Sequence, residues 1–210
     1  ENRFSGSERI NDANRLTAAL TSRFVEQETG IERLRLAVGQ VFNFSDPKVK
    51  FLDPQVTSGK SDFVAAVSGR LTPQLSTDSN IQMNEKGLEI EKIRSGLSYQ
   101  PEPGKVLNFG YRYTRNVLEQ VDSSLQWPIV GGWHGVARIN YSLKDDRILA
   151  GLAGIEYNSC CWAFRVVMQR LTTATQTTTT AFFVQLELKG LMGIGNNPLQ
   201  VLQNTIPGYT

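Results

Sequence analysis

Apolar and polar side chains alternate along most of this chain, in segments of roughly ten residues separated by turn-forming residues. In one such segment the alternate positions are occupied by Leu107, Phe109, Tyr111 and Tyr113. Val106, just before them, is an exception, because it is an apolar residue among the polar positions. Since consecutive side chains of a strand point to opposite faces of a sheet, the pattern predicts strands with one apolar and one polar face.

The alternation recurs in about eleven segments, which predicts an all-β, antiparallel protein. These segments have the length of a membrane-spanning strand, whereas no uninterrupted apolar run has the length of a membrane helix. We therefore predict a partial transmembrane antiparallel β-barrel, with outer-membrane strands over residues 1–190 and a periplasmic tail over 191–210. The alternative is a soluble β-sandwich or lipocalin-like barrel, whose strands also alternate. The predicted strands are 13–25, 31–43, 60–71, 75–84, 88–99, 105–115, 117–127, 133–143, 148–158, 162–171 and 181–190.

An odd number of strands is unusual, because bacterial single-chain barrels close with an even number. An open sheet would also leave unpaired backbone groups in lipid. The sequence has no N-terminal signal peptide, so the chain is expected to be either mature or a piece of a longer one. The odd count indicates either a miscount or a part of a larger wall, and the start at Glu1 without leader character favours a part. The longer connections at 45–59 and 172–180 are predicted to be external loops, and a short helix is considered over 198–204.

The two faces of the predicted wall differ in chemistry. If the polar face lines a lumen, that cavity is wet and positive and favours anionic groups such as phosphates. The alternative is that its basic side chains pair with charges on a plug or on the rest of the wall. These basic residues are Arg33, Arg35, Arg70, Lys92, Arg94, Arg112, Arg138 and Arg165. The predicted lipid-facing residues include Leu34, Leu36, Val38, Phe63, Ala65, Val67, Trp133, Ala137, Ile139, Tyr141, Phe182, Val184, Leu186 and Leu188.

Cys160 and Cys161 are adjacent and are the only cysteines of the chain. Neighbouring cysteines rarely bond each other, because the geometry is strained, and free thiols do not ordinarily persist in an oxidising compartment. Each is therefore expected to pair with a cysteine outside this chain, the alternative being two inert thiols at a strand end. A metal site is a weaker interpretation, because two adjacent thiolates and the single histidine, His134, do not make a tetrahedral set.

Composition and motifs narrow the classes of function. The net charge of +2 is too small to indicate nucleic-acid binding. We find no nucleophile elbow, phosphate loop or paired-carboxylate motif in a suitable context, so neither enzymatic activity nor a cofactor is expected. His134 is expected to be a polar lumen residue.

Three segments of the chain together resemble one family. They are Gly154–Ala163, Ala181–Leu191 and Ile206–Tyr209, and they look like the C-terminal end of the lipopolysaccharide-assembly outer-membrane protein LptD. The adjacent cysteines followed by Trp162 are the most specific feature, together with the Ile206–Tyr209 motif. The likeness is strongest over 150–210, and upstream it rests on barrel character that other barrels share.

The resemblance implies a large barrel in the outer membrane of a Gram-negative bacterium that inserts lipopolysaccharide into the outer leaflet. Implied partners are an LptE-like lipoprotein plug, periplasmic lipopolysaccharide bridge proteins, lipopolysaccharide itself and the barrel-assembly machinery. In that family, cysteines of a periplasmic domain pair with the adjacent ones, a role that falls here on Cys160 and Cys161. The last strand forms a lateral seam with the first, which assigns the seam here to Phe182, Val184, Leu186 and Leu188. A passive outer-membrane porin or channel is the alternative function.

Overall fold

A computed structural model describes residues 14–44, 61–85, 89–172, 177–196 and 198–210. These residues form one antiparallel sheet of twelve strands, which pair in chain order. One short helix, α1 (Leu199–Thr205), follows the last strand. The strands are β1 (Arg15–Val25), β2 (Glu32–Asn43), β3 (Ser61–Arg70), β4 (Leu75–Asn84), β5 (Ile90–Glu102), β6 (Lys105–Thr114), β7 (Leu118–Val130), β8 (Trp133–Ser142), β9 (Arg147–Asn158), β10 (Trp162–Thr172), β11 (Thr178–Leu188) and β12 (Met192–Gly195).

The predicted fold class is confirmed: the chain is all-β and antiparallel, with the architecture of a partial barrel wall. All eleven predicted strands are present, and their ends lie within about three residues of the predicted ends. The predicted count is one too low, because β12 adds a strand inside the predicted tail. β12 has four residues, too few for alternation to be recognised in the sequence. β1 and β12 are the two edges, and no ladder joins them in the described part of the chain.

The two predicted external loops have different outcomes. Residues 45–59 lie outside the described part of the chain. The prediction of a loop over 172–180 is wrong at both ends, because Thr172 closes β10 and Thr178–Thr180 opens β11. Threonine is β-branched and fits a pleated strand well, so a run of threonines extends the hairpin where composition alone indicated a polar loop.

The register joins the apolar residues of successive strands into one continuous face. Leu107 lies opposite Leu125, which in turn lies opposite Ala137, and the predicted lipid-facing residues share this face. Many of its large side chains are exposed, including Phe182, which is 66% exposed. In a single sheet, so wide an exposed apolar face is typical of a wall in contact with lipid. Among the described residues, no helix is long and apolar enough to cross a membrane.

The buried apolar residues lie on the opposite, polar face, beneath residues 198–210. Val106, the exception in the alternation, is 1% exposed and belongs to this cluster. Its apolar character is explained by the segment that covers it, because an apolar side chain gains stability only where water is excluded. The cluster consists of Val106, Val136, Leu152 and Val167 of the sheet with Leu202 and Ile206 of the covering segment.

The helix considered over 198–204 is confirmed as α1, one residue further along. Pro198 precedes it with a φ of −77°, which suits the start of a helix. The helix stops at Ile206, whose extended conformation is the one favoured for a residue before proline, here Pro207. The placement of Pro198 and Pro207 thus sets the length of the helix, and its buried residue, Leu202, faces the sheet.

Replacing Leu202 by Ala is expected to weaken the attachment of residues 198–210, because the truncation leaves a cavity in the buried cluster. Buried Leu→Ala changes typically cost about 2–5 kcal/mol. The check is limited proteolysis of the full-length protein in detergent, which should cleave this segment far faster in the variant. Leu191→Ala is the control, since Leu191 is 84% exposed. Equal cleavage rates in the two variants would contradict the prediction.

Candidate functional site

All eight predicted basic residues lie on the polar face of the sheet, opposite the apolar face. Arg94 stands directly opposite Arg112 in the ladder between β5 and β6, and Arg165 stands opposite Glu156 between β10 and β9. Lys92 lies two residues before Arg94 on β5, opposite Thr114. The structure spreads the set over six strands: β2 carries Arg33 and Arg35, β3 carries Arg70, β5 carries Lys92 and Arg94, and β6, β8 and β10 carry Arg112, Arg138 and Arg165.

Four of these arginines form ion pairs within the chain. The pair between Arg138 and Asp122 joins β8 to β7 and is bidentate, so the guanidinium is both neutralised and oriented. The shortest distances in the four pairs are 2.9 Å for Arg33–Glu26, 2.7 Å for Arg35–Glu32, 2.5 Å for Arg138–Asp122 and 2.7 Å for Arg165–Glu187.

The other three arginines, Arg70, Arg94 and Arg112, form no ion pair with any described residue and border a groove of about 660 Å³. The floor of this arginine groove is open because Gly96 lies directly opposite Gly110 and neither has a side chain. In total the groove is lined by four arginines and two aspartates, including the Asp122–Arg138 pair, which gives a formal charge of +2.

The Arg94–Arg112 pair is electrostatically unfavourable as it stands. Like charges directly opposite each other on neighbouring strands destabilise a sheet. An anion placed between them would remove that repulsion and would accept charge-assisted hydrogen bonds from both guanidinium groups. The arrangement therefore has the chemistry of an anion site, which extends over the glycine floor toward residues 198–210.

A second polar cluster is buried where residues 198–210 meet the sheet. The Tyr209 hydroxyl donates a hydrogen bond to Glu156, whose carboxylate lies 3.6 Å from Arg165. Gln126 adds a hydrogen bond of 3.4 Å to the same carboxylate. Burial, followed by the adjacent carboxylate of Glu156, raises the pKa of Tyr209, so this phenol stays protonated and remains a donor.

Cys160 and Cys161 lie in the short connection between β9 and β10, and both are exposed free thiols. Their Sγ atoms are 2.7 Å apart. A hydrogen bond from Cys161, and a weaker one from Ser159, lower the pKa of Cys160, whereas the same contact and desolvation raise the pKa of Cys161. Both thiols are accessible to a partner, and their pairing with outside cysteines stays a prediction.

The predicted seam residues lie on β11, the strand next to the edge strand β12. Phe182, Val184, Leu186 and Leu188 all lie on the apolar face of β11. The short strand β12 pairs only with Gln185–Leu188. In the described chain, the backbone edge of β11 from Thr178 to Val184 therefore has no partner strand.

Sequence reasoning missed two parts of this site. The glycine floor was not identified, although Gly96 and Gly110 both fall at polar-face positions of their strands, which was the available signal. The contact between Tyr209 and Glu156 had no signal in the spacing, because 53 residues separate the two. His134 lies on the polar face opposite Glu156, and no group of three His, Cys, Asp or Glu side chains in the described residues could hold a metal ion.

The family model and the relatives that match this chain all carry the same family name. A family model described as LptD, LPS transport system D, matches residues 1–133. The LPS-assembly protein LptD of Nitrosospira multiformis is 61% identical over 209 residues, which is 100% of this chain and 22% of that protein. The proteins of the same name from Nitrosomonas eutropha and Thiobacillus denitrificans are 59% and 47% identical, over 100% and 99% of this chain and 29% of each relative.

The chain thus spans 22–29% of the length of these relatives. The resemblance noted in the sequence was strongest over 150–210, whereas the family model covers the first part of the chain. The relatives cover both parts, so the likeness extends over all the strands and the Ile206–Tyr209 motif.

Replacing Cys161 by Ala is expected to raise the pKa of Cys160 toward the ordinary value of a thiol, because it removes the main hydrogen bond to the Cys160 thiolate. The pH dependence of Cys160 alkylation by iodoacetamide, followed by mass spectrometry in the reduced full-length protein, should shift to higher pH. Ser159→Ala removes the weaker hydrogen bond to Cys160 and should shift the alkylation profile less. An unchanged profile in Cys161→Ala would contradict this explanation.

Proposed function

This chain belongs to the LptD family, and from that membership we propose that it forms part of the outer-membrane wall of a lipopolysaccharide translocon. In this proposal the basic inner face receives the anionic sugar of lipopolysaccharide, while the acyl chains leave through a seam at the edge of the wall. The whole relatives carry the name of LPS-assembly proteins. The process is transport and involves no covalent step.

The observation that carries the proposal is the arginine groove. Arg70, Arg94 and Arg112 have no carboxylate partner among the described residues, although the same face neutralises four other arginines. A phosphorylated sugar supplies the missing negative charge, and guanidinium groups bind phosphate with well-defined geometry. The opposite face of the same strands is apolar and suits acyl chains, so the two faces match the two halves of an amphipathic lipid.

The edge of β11 supports the second half of the proposal. Its apolar side chains, Phe182 and Val184 among them, border the stretch of backbone that has no partner strand in the described chain. A wall in lipid opens most easily where few ladder hydrogen bonds must be broken, since each broken one leaves an unsatisfied group. β12 contributes only four residues to that ladder.

The partners follow from the same proposal. A lipoprotein plug of the LptE type occupies the lumen, periplasmic bridge proteins supply lipopolysaccharide, and the barrel-assembly machinery inserts the wall. Cys160 and Cys161, being exposed at a short connection, are suited to pair with cysteines of a periplasmic domain. An acidic surface on the plug is the alternative counter-charge for the arginine groove.

A photocrosslinking residue at Gln120, which lies directly across from Arg112, tests the anion path in the full-length protein in cells. The unaltered groove is expected to give lipopolysaccharide adducts. The double variant Arg94→Gln/Arg112→Gln should lose roughly tenfold or more of them, because charge-assisted hydrogen bonds contribute about 1.5–3 kcal/mol each.

The matched control is Arg33→Gln/Arg35→Gln, which removes the same charge from arginines that are already paired and should retain the adducts. Adducts to a protein partner in place of lipopolysaccharide would support the plug as the counter-charge and contradict the anion path. The absence of any adduct, or equal losses in both double variants, would also contradict it.

Replacing Cys160 and Cys161 together by Ser distinguishes a translocon from a passive channel. A translocon that depends on a disulfide to its periplasmic domain should assemble poorly, whereas a porin should be indifferent to the change. The measurement is the amount of folded, heat-modifiable protein in outer-membrane fractions. Ser159→Ala, a neighbouring change that leaves both thiols in place, is the control. Normal assembly of the double variant would favour the channel.

A further inference from the structure

We propose that residues 198–210 form an inner strap that holds strands β5–β11 together as one rigid panel of the wall, so that strands separate outside this panel and not within it. The contacts that hold the strap fall on seven consecutive strands. The proposal concerns the mechanics of the wall and holds whether or not the arginine groove binds an anion.

The first attachment of the strap is apolar. Pro198, Leu202 and Ile206 are fully buried on the polar face of the sheet. One side chain from each of five strands packs in a cluster with Leu202 and Ile206, so that moving these strands apart exposes apolar surface. The contributing side chains are Val106 of β6, Val136 of β8, Leu152 of β9, Val167 of β10 and Phe183 of β11.

The second attachment is a row of hydrogen bonds to the backbone of the strap. Gln100 of β5 donates to the Gly208 carbonyl at 3.3 Å, and Asn108 of β6 donates to the Pro207 carbonyl at 2.9 Å. Gln126 of β7 both donates to and accepts from Thr210, at 2.9 and 3.2 Å. These three strands are therefore joined through the strap as well as through their own ladders.

The third attachment is the buried ionic cluster. Tyr209 donates to Glu156 of β9, which lies beside Arg165 of β10, and Arg165 in turn pairs with Glu187 of β11. Glu156 is only 5% exposed. A buried charge that loses a partner is strongly destabilising, so undocking of Tyr209 carries a penalty beyond the loss of one hydrogen bond.

The strap contacts join more strands than the ladder hydrogen bonds of the sheet do. A ladder joins only two neighbouring strands, so one interface can open without disturbing the next. The strap crosses from β5 to β11, and opening any interface within that range must also break strap contacts. The Gly96–Gly110 floor of the arginine groove lies inside the panel, and the unpaired backbone edge of β11 lies at its margin.

Gly208 provides a sharp test, because its φ of +80° is accessible mainly to glycine. A Cβ at this position would lie 3.3 Å from Gln100 Oε1 and 3.4 Å from Val106 Cγ2, two partners of the strap. Gly190 has nearly the same φ, +82°, but a Cβ there would meet nothing within 4 Å. Gly190→Ala is therefore matched to Gly208→Ala in backbone strain and differs in the docking contact.

The measurement is hydrogen exchange by mass spectrometry on the full-length protein in lipid vesicles. Gly208→Ala is expected to raise the exchange rates of amides in β6–β10 by about tenfold, because panel openings become more frequent. Amides in β2–β4 should keep their rates, and Gly190→Ala should leave both groups unchanged. Equal behaviour of the two glycine variants, or an equal rise in β2–β4 and β6–β10, would overturn the proposal.

Tyr209→Phe tests the same proposal if the Gly208→Ala protein does not insert into the membrane. It removes only the hydroxyl that donates to Glu156 and leaves Arg165 and Gln126 in place. A smaller rise in exchange, confined to the panel and largest in β9 and β10, is expected. If Tyr209→Phe exchanges like the unaltered protein throughout the panel, residues 198–210 do not hold it together.

Discussion

The structure depends on one constraint: in hydrocarbon, every backbone amide and carbonyl must find its partner within the protein. A sheet meets this requirement through its ladders, and its side chains then have two surroundings to satisfy. The odd-numbered positions of β6 face outward with Leu107 and Phe109, and the even-numbered ones face inward with Asn108 and Arg112. Alternation of polarity, the ladder and the exposed apolar face are thus three results of the same requirement.

The inner face is organised by charge pairing. Where a carboxylate is within reach, as Asp122 is for Arg138, the guanidinium is neutralised and oriented. Where the neighbouring strand offers another arginine or a glycine, as around Arg94 and Gly110, positive charge remains uncompensated. This unevenness, more than the number of basic residues, distinguishes the arginine groove from the rest of the face, because a paired arginine attracts anions only weakly.

Much of the wall was predictable from the sequence, because strand alternation depends on each residue's own polarity. Both ends of β4 were predicted correctly. The face on which each of the eight basic residues lies follows from whether its position in the strand is odd or even. Pairing could not be predicted, since Asp122 lies diagonally across a ladder from both Arg112 and Arg138, and only Arg138 pairs with it. β12 was missed because its four residues are too few to show an alternating pattern. Val106 was a visible anomaly whose explanation lay about a hundred residues away, in Leu202 and Ile206.

The attachment of Gly208 to Gln100 joins residues that are 108 positions apart in the chain. A contact of such sequence separation forms late, because its binding surface does not exist until the intervening strands are in register. The contacts of residues 198–210 fall on seven strands, and all seven must be in place before the segment can dock completely. Complete docking of this segment therefore requires the strands to be in register, and a wall with a slipped register would leave the segment accessible to proteases.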